Sequence, residues 1–222
     1  MVLIFFLFLS TFAQAQSVIT RLDGSKISHQ EAEAFAEKTL RAANVTGAQL
    51  AVLDRGKLVW SYAYGLRTKN PNRPMQVNTN TWAASITKGV FSAYVMTLVE
   101  KGEFSLDEPV IEQLPQPLNT YKAYQETASE LVKDPNWKLV TPRILLSHSS
   151  GLANFSFIEP DKKMHLHFRP GSRYQYSGDG INLVQFLIEQ KKGQPIEILM
   201  QQAIFAPASM SQTGMVFRKE FE

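Results

Sequence analysis

Residues 47–67, GAQLAVLDRGKLVWSYAYGLR, alternate as a strand does, turn at Asp54-Arg55-Gly56-Lys57 and then alternate again. The pattern predicts a β-hairpin with Leu58, Trp60, Tyr62 and Tyr64 along one side of its second arm. A sheet of two strands is marginal alone and needs further strands or a covering helix. The rest of the chain reads as helices and irregular segments, so the fold must combine a small sheet with a larger helical part.

The helices announce themselves by caps and periodicity. Ser28 and Glu31 form a capping box that opens a helix over 28–43, with Ala32, Phe35, Ala36, Leu40 and Ala43 on one face. Residues 66–80 are polar and interrupted by prolines, and read as a loop. From Ser85 to Lys101 the apolar residues Val90, Phe91, Tyr94, Val95, Leu98 and Val99 make a 3.6-residue stripe that Gly102 is placed to end. Pro109, Pro115, Pro117 and Pro135 break the stretch up to about residue 140. Thr141 then caps a short helix with Pro142 in its first turn. Residues 152–175 read as irregular. A helix follows over 180–192, burying Ile181, Val184, Leu187 and Ile188, with Gly193 closing it. Pro195 starts a last one that runs to about Ala203.

Composition narrows the function. The chain has 222 residues, 44% hydrophobic, enough for a sizeable core, and its 23 basic and 20 acidic side chains are interspersed for a net charge of +3. Without a Lys/Arg run, nucleic acid is not an expected partner. MVLIFFLFLSTFAQAQ, the first 16 residues, joins an apolar run to Ala13-Gln14-Ala15 and reads as a secretory signal cleaved after Ala15. That run is too short to span a bilayer, which takes about 20 residues. There is no cysteine, hence neither disulfide nor lipidated thiol. The expectation is a periplasmic or secreted domain over 16–222, with no membrane anchor after cleavage. Within it, a helix and hairpin (28–65) precede a mostly helical region (80–222).

Two elements carry chemistry. WAASITKGVF, residues 82–91, holds the only Ser-x-x-Lys of the chain. Ser85 at a helix start lies beside N–H groups that lack intrahelical partners and are able to hold an oxyanion, and Lys88 is one turn on, on the same side. Burial there would disfavour the ammonium and let Lys88 take the hydroxyl proton. The bland alternative is a serine cap with a surface lysine. The second element is PGSRYQYSGDG, residues 170–180, where Tyr176 either projects its phenol into a cleft or is a core aromatic beside a turn. His165 and His167 alternate as on a strand, but a metal site would need a third ligand, and no metal or cofactor is expected.

ASITKGVFSAYVMTLVEKGEFSLDEPV, then TPRILLSHSSGL, then RPGSRYQYSGDGINLVQFLIEQ resemble, in this order, the serine β-lactamase and penicillin-binding protein superfamily, on its class C, esterase and D-aminopeptidase side. The resemblance implies an α/β (α+β) fold, an antiparallel sheet flanked by helices plus a mostly helical subdomain. It implies Ser85 as acylated nucleophile, Lys88 as its activating partner and Tyr176 as the tyrosine of a Tyr-x-Asn motif. His148 falls in a loop that the family also has. Gly178 stands at the asparagine position, where a substrate-binding amide would be, which favours an ester or a D-amino-acid amide or peptide over a β-lactam as substrate. No Lys-[Ser/Thr]-Gly or His-x-Gly third motif occurs. The implied reading is a member lacking its C-terminal strands. Its apolar sheet face at Trp60, Tyr62 and Tyr64, or the opposite one at Val59, would then be uncovered, and the isolated chain poorly soluble or oligomeric. An inactive or binding-only fragment is the alternative to a working hydrolase.

Overall fold

The computed structural model describes residues 18–219, and the expected signal segment lies outside the described residues. These residues form two compact units that meet in sequence between Thr81 and Trp82.

The first unit begins with a short antiparallel pair, β1 (Val18–Thr20) and β2 (Lys26–Ser28). Helix α1 (His29–Ala42) starts at the capping box: Ser28 Oγ accepts the Glu31 N–H, and the Glu31 carboxylate accepts the Ser28 N–H at 2.9 Å. Strands β3 (Gly47–Asp54), β4 (Lys57–Lys69) and β5 (Asn72–Pro74) form an antiparallel sheet in that order. Arg55 and Gly56 both have positive φ (48° and 75°), as a tight hairpin turn with the right twist requires.

Three expectations need correction here. Residues 66–80 are not all loop, because β4 runs to Lys69 and β5 returns along it. Pro71 falls in the turn and Pro74 ends the edge strand, positions where a missing N–H costs no ladder bond. Leu58 does not share a side with Trp60. Val52 pairs with Trp60 and Leu53 with Leu58, so Val59 is an extra residue that reverses the alternation, leaving Leu58 63% exposed and Trp60 7%. The Trp60 face is not uncovered either. Ala36 of α1 and Ile19 of β1 form a small core with Trp60, flanked by Ala32, Leu50, Val52 and Tyr62. Tyr62 also donates to Glu37 Oε1 at 2.6 Å, and that bond is the main cause pushing its phenol up to about 12. Phe35, one residue off the packed Ala32–Ala36 line, points to solvent.

The second unit is built of α2 (Ile86–Glu100), α3 (Val110–Gln113), α4 (Pro142–Leu146), α5 (Gly178–Lys192) and α6 (Ile196–Met200), linked by short 3₁₀ turns. Phe91, Tyr94, Val95 and Leu98 of α2 pack in one core with Leu145 of α4, Leu183, Val184, Leu187 and Ile188 of α5, and Met200 of α6. Each such side chain contributes about 1.5–3 kcal/mol by leaving water. Thr141 caps α4 through the Ile144 N–H, and Gly102 and Gly193, with φ of 69° and 63°, end α2 and α5 as the sequence predicts. The last helix differs. Past Met200 the chain widens into a π turn over Gln201–Phe205. The irregular segments are tied in by backbone bonds such as Val110 N–H to Val140 O at 2.9 Å and Met164 N–H to Thr127 O at 2.8 Å.

Candidate active site

Ser85 is the residue before the first turn of α2, and its side chain makes no capping bond. A serine placed there only to cap the helix would accept an N–H from the next turn. Its Oγ is instead held by two other side chains. The Tyr176 hydroxyl donates to it at 2.7 Å, and Lys88 Nζ, one turn along α2, donates at 3.0 Å. Lys88 Nζ also lies 5.0 Å from the centre of the Tyr176 ring. The two segments singled out in the sequence, 91 residues apart at Ser85 and Tyr176, thus meet at one oxygen.

The start of α2 departs from expectation in one respect. The N–H groups of Ile86, Thr87 and Lys88 bond the carbonyls of Ala83, Ala84 and Ser85 at 3.0, 3.1 and 3.2 Å. The tight turn uses those donors, and the one beside the hydroxyl that has no partner among the described residues is the N–H of Ser85 itself. The same turn puts Ala84 at φ 44°, in the left-handed region. A side chain there costs about 1–2 kcal/mol. Ala84→Gly should therefore give a melting temperature equal to or above the parent's. If that strain were absent, the ordinary Ala→Gly loss of about 1 kcal/mol would lower Tm by about 2–4 °C in a thermal melt.

Tyr176 sits on an extended segment that leads into α5, and its neighbours are fixed one by one. Ser177 is fully buried. Its Oγ donates to Ala153 O at 2.8 Å and accepts the Gly180 N–H at 2.9 Å, capping α5. The Gly178 N–H is shared between Asn154 O at 2.8 Å and Asn154 Oδ1 at 3.0 Å. Asp179 Oδ2 accepts the Ser156 N–H at 2.6 Å, and burial raises its carboxyl above the usual value. Gly178, expected at a substrate-binding position, is buried, and its N–H is already taken, so it offers a substrate no group. A Cβ there would come within 2.5 Å of Phe155 Cε1 and 2.7 Å of Asn154 O, which is why only glycine fits.

The interaction with Lys88, then that with Ser85, holds the Tyr176 phenol below its ordinary value. His148, whose ring centre is 4.4 Å from that of Tyr176, is held below its usual value by burial and by the Lys88 charge. A hydroxyl has one proton to give and two lone pairs. With Tyr176 and Lys88 both donating, the lone pairs of Ser85 Oγ are occupied, so its own proton leaves only when one of those partners turns acceptor. Tyr176 is the partner whose surroundings favour that change.

The remaining histidines stand apart. His165 and His167 lie in an irregular stretch rather than a strand, paired at 2.9 Å with Asp161 and Glu159. Among the described residues no cluster of three or more His, Cys, Asp or Glu is placed to hold a metal. His148, Asn154 and Asp179 fix the Tyr176 segment, and the sequence offers no local spacing that ties them to it.

The sequence profile of the Beta-lactamase family matches residues 32–218. The chain belongs to the Beta-lactamase family. It is 28% identical over 210 residues to Esterase EstB of Burkholderia gladioli, covering 83% of this chain and 50% of that protein. It is 25% identical to the D-aminopeptidase of Brucella canis, covering 83% of this chain and 36% of that one. Among solved structures, the D-amino acid amidase of Ochrobactrum anthropi SV3, in complex with L-phenylalanine amide, superposes with a TM-score of 0.68 at 24% identity. That match covers 88% of this chain and 55% of the amidase. The antiparallel sheets and helices match the β-lactamase and transpeptidase-like fold that the sequence implied. This Beta-lactamase family chain spans about half the length of the first curated relatives that it matches.

Proposed function

We propose that this chain performs acyl transfer through Ser85, on an ester or a D-amino-acid amide. One observation carries the reading: a serine at a helix start that caps nothing, with its oxygen held between a phenol at 2.7 Å and an ammonium at 3.0 Å. The relatives named as esterase, D-aminopeptidase and D-amino acid amidase support the substrate class.

In the proposed cycle Tyr176, as phenolate, takes the Ser85 proton while Oγ attacks the carbonyl carbon. Lys88, the main cause that lowers the Tyr176 phenol, stabilises the phenolate beforehand. The oxyanion that forms is held by the Ser85 N–H, which has no partner among the described residues. Tyr176 then returns the proton to the leaving alcohol or amine as the carbon–heteroatom bond breaks, which leaves an acyl-Ser85 ester. Water hydrolyses that ester by the same proton route in reverse.

Tyr176→Phe removes only the hydroxyl. Acylation by a p-nitrophenyl ester, followed by intact mass, should slow by about 100- to 10,000-fold. The parent rate should rise with pH as the phenolate forms and level off below the ordinary tyrosine value of 10.0, because the phenol is shifted down. The variant should lose that limb. Unchanged acylation kinetics would return Tyr176 to a packing role. A second reading, binding without turnover, is favoured by the single N–H beside Ser85 that has no partner among the described residues. It gives one equivalent of acyl adduct that persists, whereas a working hydrolase releases product repeatedly.

A further inference from the structure

We propose that His148 is the positioning residue that sets the Tyr176 phenol on Ser85, an inference that rests on the proposed role of Tyr176. Residues 174–177 belong to no helix or strand, so nothing regular aims this phenol. His148 grips the segment on both sides of it. Its carbonyl accepts the Gln175 N–H at 2.7 Å, and its Nδ1 accepts the Ser177 N–H at 3.1 Å. Between those two bonds the imidazole lies against the Tyr176 ring, centres 4.4 Å apart and planes 34° from parallel. Tyr174 meets the His148 ring edge-on, centres 5.9 Å apart.

The grip is itself anchored. His148 follows the end of α4, its N–H bonds Leu145 O at 3.1 Å, and Leu145 is fully buried. His148 holds φ at 55°, a conformation glycine or asparagine would adopt at lower cost. Glycine would supply neither side-chain acceptor nor ring, and asparagine only the acceptor. Histidine supplies both, which accounts for its presence in a strained position.

The bond from Ser177 also fixes the tautomer. With Nδ1 as acceptor, the ring is neutral and its proton is on Nε2. The groups facing it are Lys88 from α2, and Tyr174 and Tyr176 from the loop. A second proton would set Nδ1–H against the Ser177 N–H and place a cation near Lys88, loosening the segment that carries Tyr176. Acylation should therefore fall on the acid side as His148 becomes charged.

Two variants separate the contributions. His148→Asn keeps an acceptor for Ser177 and tolerates the left-handed backbone, while His148→Phe keeps a ring but leaves that N–H unpaired. Acylation of Ser85 by a p-nitrophenyl ester should drop roughly 100-fold in His148→Phe, the size expected for an ångström-scale misplacement. It should drop less than about tenfold in His148→Asn, and in both variants the additional acid-side fall caused by His148 protonation should vanish while the Tyr176 limb remains. A second readout needs no catalysis: the ¹³Cζ titration of Tyr176 in tyrosine-labelled protein, assigned with Tyr176→Phe. In His148→Phe it should move up toward an ordinary phenol, and His148→Asn should restore part of the shift. If the titration moves as stated but no form acylates, the positioning role stands and the acyl-transfer reading fails. If the Tyr176 titration is the same in both variants as in the parent, His148 only packs, and the inference is overturned.

Discussion

Ser85→Ala is expected to abolish acyl transfer: turnover of a p-nitrophenyl ester should fall by roughly a million-fold, the scale seen when a nucleophile is removed from a cooperating group. No neighbour can substitute. Lys88 and Tyr176 are aimed at the oxygen that disappears, and no other serine hydroxyl shares those partners. Folding should be little affected, within about 0.5 kcal/mol, because Ser85 is exposed and caps nothing. The Tyr176 phenol should rise only part of the way toward its ordinary value, since the larger cause of its shift, the neighbouring Lys88, remains. Ester turnover that survives this change would place the chemistry elsewhere in the molecule.

Gly178→Asn should have the largest effect on stability, although it writes the superfamily's Tyr-x-Asn motif into the chain. The new Cβ would sit 2.7 Å from a backbone oxygen, Asn154 O, and 2.5 and 2.8 Å from Phe155 ring atoms. The ring could swing away, but the carbonyl is fixed by the N–H groups of Gly178 and Asp179, which bond it at 2.8 and 2.9 Å. Relief therefore requires the start of α5 to move off the Asn154 loop. Overpacking of this kind costs about 1–3 kcal/mol, or about 3–10 °C in Tm for a chain of this size. Acylation should fall with it, because Tyr176 is two residues away. A melt at the parent temperature would show that the loop yields freely and that glycine is not required there.

What the sequence disclosed was local in origin. The 47–67 hairpin was readable because alternation and an Asp-Arg-Gly-Lys turn lie within one short span. Helices α1 and α4 were readable from their caps at Ser28 and Thr141, and α2 and α5 from the closing glycines Gly102 and Gly193 beside their apolar stripes. Lys88 was placed on Ser85 by helical spacing alone. Strand β5 was hidden because Pro71 and Pro74 look like loop residues until a partner strand shows that neither needs an N–H. Leu58 went to the wrong face because a bulge at Val59 leaves no mark in the alternation. The donors of α2 were overcounted, since the tight turn from Ala83 to Lys88 that uses three of them depends on a backbone angle at Ala84. Tyr176 reached Ser85 only through the resemblance, across 91 residues, and His148 was assigned no part because its contacts with residues 175–177 are equally non-local.

The central claim is that Ser85 is acylated. Its most direct test is tandem mass spectrometry of the Ser85-bearing peptide after the protein is treated with a p-nitrophenyl ester and, separately, with a fluorescent penicillin. The account predicts an acyl group on Ser85 Oγ when ester turnover is quenched in acid, formed faster as the pH rises and absent in Ser85→Ala. A parent protein that neither carries an adduct nor turns over either reagent, or an adduct on any other residue, would contradict it.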